Sequence, residues 1–408
     1  MITGANSTDK DYEDINQNHS DEVSTTSSVI DKLEERRKNA MKGGVNCIPF
    51  PFERFRTEVP GIEQEQYVII TASTKVGKSQ LANYLYLYNV LDYCFEHPDK
   101  CSCHIIYFAL EESKQRIIER YMSHLLYKLD GHRIAPIDLR STSVDYPVDK
   151  QIIDLLKSEK YQERFRFFEQ CVEFDTENTN PTGILRTCEA YAKTVGTYKS
   201  NTIVSNSDWT KEVEVFDDYI PNDQNHYKIV IIDHISLVDK EQGFGKKETI
   251  DKVSEYFVKY LRNRYKYTCV VIQQQSAEAE GLEALKQKRI TPSNSTGGDS
   301  KYTFRDCNLA LGLFDPSRLG FATWPQKNGY DIATGLKSYG RFINVIANRD
   351  GETGGICPLF FDGAVCDFEE LPRPDDPEIN KYYDKAAQLK SWKQQKKLQQ
   401  LSLFNFFK

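Results

Sequence analysis

The sequence predicts an α/β fold, a wound and mostly parallel sheet with helices on both faces, and three observations carry that prediction. Short β-rich runs alternate with helical stretches from about Val45 to Phe368. Several of those runs, YVIIT and KIVIIDHI among them, are apolar at nearly every position, as strands covered on both faces are. A glycine-bearing loop, TASTKVGKS, follows one such strand and opens a helical run, SQLANYLYLYNVL.

Composition narrows the class. The chain has 408 residues, 39% of them hydrophobic, yet no apolar run approaches the roughly 18 residues of a membrane span, so no membrane segment is expected. The polar start lacks the basic and apolar regions of a secretory signal, which places the protein inside a cell. Ten irregularly spaced cysteines read as reduced core thiols; Cys101-Ser-Cys103-His104 lacks a second pair at ligand spacing and reads as a loop rather than as a metal site. A net charge of −7 argues against coating nucleic acid over the whole surface and allows only a focused basic contact.

In chain order, residues 1–28 are polar and rich in Ser, Thr and Asn, and are expected to be disordered. Ser28 is placed to cap a helix through VIDKLEERRKNAMK, with a partial apolar stripe of Val29, Ile30, Leu33, Ala40 and Met41, ended by Gly43-Gly44. Residues 29–44 are thus a separate amphipathic helix that needs a partner surface. Within the domain of residues 45–368, strands are expected at 67–71, 104–110, 165–174, 228–235, 268–274 and 342–349. Residues 369–408 follow as an acidic, proline-bearing linker, a Lys/Gln-rich helix and an aromatic tail, LSLFNFFK.

The loop fits a phosphate-binding pattern, Gly, four residues, then Gly-Lys-Ser, except that Ala72 stands at the first glycine. Strand, loop and helix are in the required order, so Ser73, Thr74, Lys75, Val76, Gly77, Lys78, Ser79 and Gln80 are read as the cradle for the phosphates of ATP. Lys78 reaches the β- and γ-phosphates and Ser79 binds Mg²⁺. Alanine at the first position costs little unless its φ must be positive. Asp233, where IVII runs straight into it, is the second Mg²⁺ residue. Glu111, after the strand HIIYFAL, is the candidate base; the alternative for it and for Glu112 is a solvated helix start. Gln274 ends TCVVIQQ, placed to sense the γ-phosphate.

In this set of residues the chain resembles the RecA-like hexameric ATPases, and within them the motor domain of DnaB-type replicative helicases. GGVNCIPFPFERF, the phosphate loop, FALEES, NPTGILRTCEAYAK, IVIIDHISLV, VVIQQQS and IANRDGETG are similar in order and spacing to that family's motifs, over about residues 43–362. The resemblance implies that Glu111 is the hydrolytic glutamate, Asp233 the Walker B aspartate, Gln274 the sensor, and Arg349 an arginine finger acting in trans on a neighbouring subunit. It implies a homo-hexameric ring on single-stranded DNA, with helix 29–44 as an assembly element, and a 5′ to 3′ helicase working with replication proteins. Two features depart from the pattern: Ala72, and Ala347-Asn348 where a basic residue usually precedes the finger. Only about 43 mostly polar residues precede the motor, where bacterial relatives carry a helical domain; this suggests a virus or mobile element, acting in the cytoplasm of a bacterial host.

Two further calls rest on composition. Lys246 and Lys247, in DKEQGFGKKET, and Lys286, Lys288 and Arg289, in the loop after Gln274, are candidate DNA contacts. In the tail, Gln400, Leu401, Leu403 and Phe404 resemble the peptide bound by bacterial sliding clamps, and Gln400, Leu403, Phe406 and Phe407 the spacing read by trimeric clamps; folding back onto the chain's own core is the alternative. A RecA-like recombinase or regulatory ATPase, and a nucleotide-binding scaffold ring without catalysis, are the competing functional readings.

Overall fold

Nine strands form the central sheet of the computed structural model, which describes residues 25–142, 147–205, 208–275, 291–293, 302–325 and 327–391. They are β1 (Tyr67–Ala72), β2 (Ser102–Ala109), β3 (Val172–Asp175), β4 (His226–Asp233), β5 (Thr268–Gln274), β6 (Leu309–Phe314), β7 (Gly340–Asn348), β8 (Ile356–Asp362) and β9 (Asp367–Glu370). Their order across the sheet is β9-β8-β7-β6-β1-β5-β4-β2-β3. From β6 to β3 neighbours run parallel, and β7, β8 and β9 add an antiparallel edge. This is the wound, mostly parallel sheet that the apolar runs call for.

Successive side chains on a strand point to opposite faces, and both faces are covered. Ile106 and Phe108 of β2, with Val230 and Ile232 of β4, pack in one core with Ile184 and Cys188 of the helix Pro181–Thr194 and Ile250 and Val253 of the helix Lys246–Tyr256. Tyr107 turns the other way, its hydroxyl 3.0 Å from Asn83 Oδ1. Asn83 belongs to the helical run that starts as Lys78–Ala82, passes through a π-helical Asn83–Tyr88 and ends as Asn89–Glu96. The helices Lys114–Asp130 and Glu159–Cys171 complete that side, burying Leu125 and Phe168.

Three expectations need correction. The strand expected at 165–174 is mostly helix: Tyr161, Phe168 and Cys171 are buried at helical spacing on Glu159–Cys171, and only Val172–Asp175 is extended. Aromatic content suggested a strand, but the period of the buried positions decides. Ser28 does not cap the first helix, which runs Thr25–Met41, so residues 25–28 are helical. The boundary at 368 falls inside β9, and the fold continues beyond it. Leu371, and Ile379 and Ala386 of a helix over 379–391, are buried against Tyr330, Ile332, Leu336 and Phe360. An antiparallel ribbon, Gly196–Ser205 paired with Asp208–Pro221, is an addition that no expectation covered.

The chain divides into two units, Met1–Asn46 and Cys47–Lys408. In the first, the helix Thr25–Met41 ends in a left-handed Gly43 (φ 74) with Gly44 N donating to Asn39 O at 2.9 Å, a six-to-one closure that satisfies a terminal carbonyl. Its Val29, Ile30, Leu33 and Met41 are exposed. All ten cysteines are free. Cys94 and Cys101 bring their sulfurs to 3.6 Å, yet among the described residues no group of three or more His, Cys, Asp or Glu side chains is arranged to hold a metal ion. Among the same residues no helix is long and apolar enough to cross a membrane.

Candidate active site

β1 is flanked on both sides by parallel neighbours, β6 pairing Leu313 with Ala72 and β5 pairing Gln274 with Ala72. The loop after Ala72 therefore opens at the carboxyl edge of the sheet, where wound sheets bind ligands. Ala72 is fully buried and is not among the residues with positive φ, so the absent first glycine costs nothing here. The glycine that geometry requires is Gly77, at φ 116, directly before the helix Lys78–Ala82. A Cβ on Gly77 would also stand 3.2 Å from the ring of Phe361. Lys75 adopts φ 62 at the exposed part of the loop, a left-handed conformation that side chains other than glycine adopt at some cost.

Three residues singled out from sequence outside the loop, Asp233, Glu111 and Gln274, converge on it. Ser79 Oγ donates to Asp233 Oδ1 at 3.0 Å. Lys78 Nζ lies 3.6 Å from Glu111 Oε2, and Glu111 is positioned by its own N–H donating to Asp233 O at 3.1 Å. Glu112 points elsewhere, into a two-bond pairing with Arg120 at 2.6 and 3.0 Å, which leaves Glu111 as the glutamate that faces the loop. Gln274 Nε2 donates to Thr74 Oγ1 at 2.5 Å.

Asp233 is 5% exposed, and burial pushes its carboxyl up to about 6, against the lowering effects of Ser79, Lys78 and the Tyr107 hydroxyl 3.3 Å away. A buried carboxylate that accepts from a serine hydroxyl is a hard-oxygen donor pair of the kind Mg²⁺ takes. The residues present fit that ion. Tyr107 and Asn83, which hold Asp233 from behind, were not anticipated; the tyrosine sits mid-strand, where its type alone carries no signal.

Arg349 is not near this loop. β7 runs antiparallel to β6 with Asn348 opposite Leu309, and Leu309 lies beside Val68, at the amino end of β1. Four residue steps lead from Val68 to Ala72, about 13 Å of sheet, so Arg349 stands at the opposite edge. There its Nη2 donates to Arg305 O at 2.7 Å. Lys246 and Lys247 open the helix Lys246–Tyr256, a position where cations oppose the helix dipole. Lys247 Nζ lies 5.3 Å from the ring centre of Tyr302, and Lys252 Nζ 5.0 Å from that of Phe244. Phe244 and Tyr302 are 40% and 42% exposed, an aromatic and basic pairing that the sequence reading missed because the two rings are far apart in the chain. Lys286, Lys288 and Arg289, and the tail residues Gln400, Leu401, Leu403, Phe404, Phe406 and Phe407, lie outside the described residues.

Two arginines absent from the sequence reading reach the loop from behind. Arg341 Nε donates to Val76 O at 2.9 Å, and Arg318 Nη1 donates to Thr74 O.

Compared with solved structures, the chain is similar to an isolated ATPase domain, with a TM-score of 0.60 and 12% identity over 86% of this chain and 100% of that one. It is also similar to a DnaB-like replicative helicase, described with its interactions with primase, at a TM-score of 0.58 and 14% identity over 86% of this chain and 68% of that one. No family model and no curated protein matches. The likeness is one of fold: the chain has the RecA-like α/β architecture of DnaB-type helicase motor domains.

Proposed function

We propose that this chain is the ATP-hydrolysing motor of a ring-shaped, replicative DNA helicase of the DnaB type, moving 5′ to 3′ on single-stranded DNA. The observation that carries the reading is the meeting of Lys78, Ser79, Glu111 and Asp233 at the carboxyl edge of one parallel sheet. The supporting fold likeness is to an ATPase domain and to a DnaB-like replicative helicase.

Bound Mg²⁺ would supply positive charge to the phosphate oxygens, and Ser79 and Asp233 would hold it. The rest is done by the chain. The N–H groups from Ser73 to Gln80 bind the phosphates, and Lys78 neutralises the β- and γ-oxygens. Lys78 Nζ and Glu111 Oε2 lie 3.6 Å apart, so the cation that meets the phosphates stands beside the carboxylate that would orient a water and accept its proton. Gln274, bonded to Thr74, couples the state of the loop to the chain after β5. Arg349, at the opposite edge and away from its own loop, would act in trans on the site of another subunit of a homo-hexamer. Single-stranded DNA is held by Lys246 and Lys247 with Phe244 and Tyr302 nearby, stacking rings beside cations. Direction of travel, Lys286, Lys288 and Arg289 as further contacts, replication partners, a sliding clamp at the tail, a bacterial cytoplasm and a viral source rest on the sequence alone.

The competing scaffold reading took support from Ala72 and Asn348. Ala72 no longer favours it, because its backbone is ordinary. An ATPase assay on the full chain, with and without single-stranded DNA, tests the proposal. Hydrolysis stimulated by DNA and abolished by Lys78→Ala is expected; unstimulated turnover, or a Lys78→Ala variant at wild-type rate, overturns it.

A further inference from the structure

A loop that binds phosphate presents its N–H groups to the anion, and each planar trans peptide then turns the carbonyl of the preceding residue the opposite way. The carbonyls on the outer side of the loop need donors of their own, and the identity of those donors sets how firmly the N–H groups are aimed. In this chain the partners of two such carbonyls are arginines. The peptide between Val76 and Gly77 is held by Arg341, whose Nε donates to Val76 O at 2.9 Å. The peptide between Thr74 and Lys75 is held by Arg318, whose Nη1 donates to Thr74 O. Both peptides lie inside the loop's sharpest bends, with Lys75 at φ 62 and Gly77 at φ 116.

Arg341 is locked in place. It is 6% exposed at the start of β7, and its Nη1 lies 2.8 Å from Gly340 O, 3.0 Å from Ser338 O and 3.0 Å from Asp315 Oδ2. Asp315 is itself buried, and it accepts from Ser317 N at 3.0 Å, capping the short 3₁₀ turn Pro316–Leu319 that carries Arg318. The guanidinium carbon of Arg341 sits 5.1 Å from the ring centre of Phe361, the same ring that packs against Gly77. One buried ion pair thus ties together both arginines and the wall behind Gly77.

From this geometry we infer that Arg341 and Arg318 are positioning residues, which aim the N–H groups of Gly77 and Lys75 at the phosphates of a bound nucleotide and set its affinity without touching it. The inference rests on the reading of the loop as a nucleotide site. Arg341→Gln paired with Asp315→Asn removes the clamp while leaving no buried charge unpaired, and Arg318→Ala removes an exposed side chain that folding does not need.

Titration of the full chain with a fluorescent ATP analogue and Mg²⁺, beside thermal melts without nucleotide, tests it. The double variant is expected to bind roughly tenfold more weakly and Arg318→Ala a few-fold more weakly. KM for ATP should rise in proportion while kcat at saturation stays within about threefold, since Glu111, Ser79 and Asp233 touch neither arginine. Affinity equal to wild type in a folded double variant overturns the inference. Where the double variant melts before assay, wild-type affinity in Arg318→Ala does the same. Failure of the wild-type chain to bind the analogue, or binding unchanged by Lys78→Ala, sinks the nucleotide-site reading instead, so the two failures are separable.

Discussion

Asp233→Asn should make the nucleotide-free protein more stable while destroying its hydrolysis. Burial raises the Asp233 carboxyl from 3.8 to about 6, a difference worth about 3 kcal/mol at 1.36 kcal/mol per pH unit. The sign follows from proton binding. Between those two values the folded chain holds a proton that the unfolded chain has released, so wild type loses stability as pH rises through that window and recovers none above it. Asparagine has the same shape, carries no charge, keeps an oxygen that accepts from Ser79, and turns an NH2 donor to the Tyr107 hydroxyl, whose own proton goes to Asn83 Oδ1. Above pH 7, with magnesium chelated, the variant should therefore exceed wild type by about 2 to 3 kcal/mol, or a few degrees in melting temperature. The gap should close toward pH 4. The half-buried carboxyl of Asp367, pushed up to about 7 by desolvation, is common to both proteins and cancels in the comparison. Denaturant melts across pH 4 to 8, in chelator, measure the gap. A variant no more stable than wild type at pH 7.5, or a gap equally large at pH 4, would refute the claim that the ionised, buried Asp233 costs the nucleotide-free fold stability.

Arg349→Ala should be inactive through a neighbour's site, so mixing it with Lys78→Ala should restore some turnover at mixed interfaces; a monomeric ATPase indifferent to Arg349→Ala removes the shared-site mechanism. Deleting residues 1–42 should weaken hexamer formation and leave the rest of the chain folded, because the exposed Val29, Ile30, Leu33 and Met41 stripe needs a covering surface; unchanged assembly in sedimentation would contradict it.

Much of the site was legible because its residues sit where strands end. A strand buried on both faces is recognisable from its apolar run, and the first polar residue after it emerges at the edge of the sheet. Asp233 and Glu111 were found on that basis, Gln274 as the last residue of its run, and β5 spans the residues expected of it. Glu111 and Glu112 could not be separated by pattern, since the difference is Arg120, which claims one of them from the next helix. Arg341 was invisible for a related reason. It lies 265 residues from Val76 in sequence, and nothing in GRFINV distinguishes a strand arginine that faces solvent from one that holds a distant carbonyl. The ribbon Gly196–Pro221 was missed although its alternating residues around Asn206-Ser207-Asp208 carry a hairpin signal, because it stands apart from the parallel strands that organised the reading.

The arrangement of the strands divides the proposed work between subunits. The six parallel strands place the loop and its carboxylates on one edge, and the reversal at β7 returns the chain to the other, where Arg349 is held by Arg305 O and its own N–H donates to Asn308 O at 2.9 Å. β7 is continuous from Arg341 to Asn348, so the same strand that begins behind one loop ends at the opposite edge, facing away from it. The levels of Ala72 and Leu309 are about 13 Å apart along the sheet, and side-chain motion does not close that distance. On the proposed reading, a lone protomer therefore has a complete phosphate cradle and an incomplete catalytic set. Nucleotide binding would then be nearly independent of protein concentration, whereas turnover would climb with it until the ring is saturated.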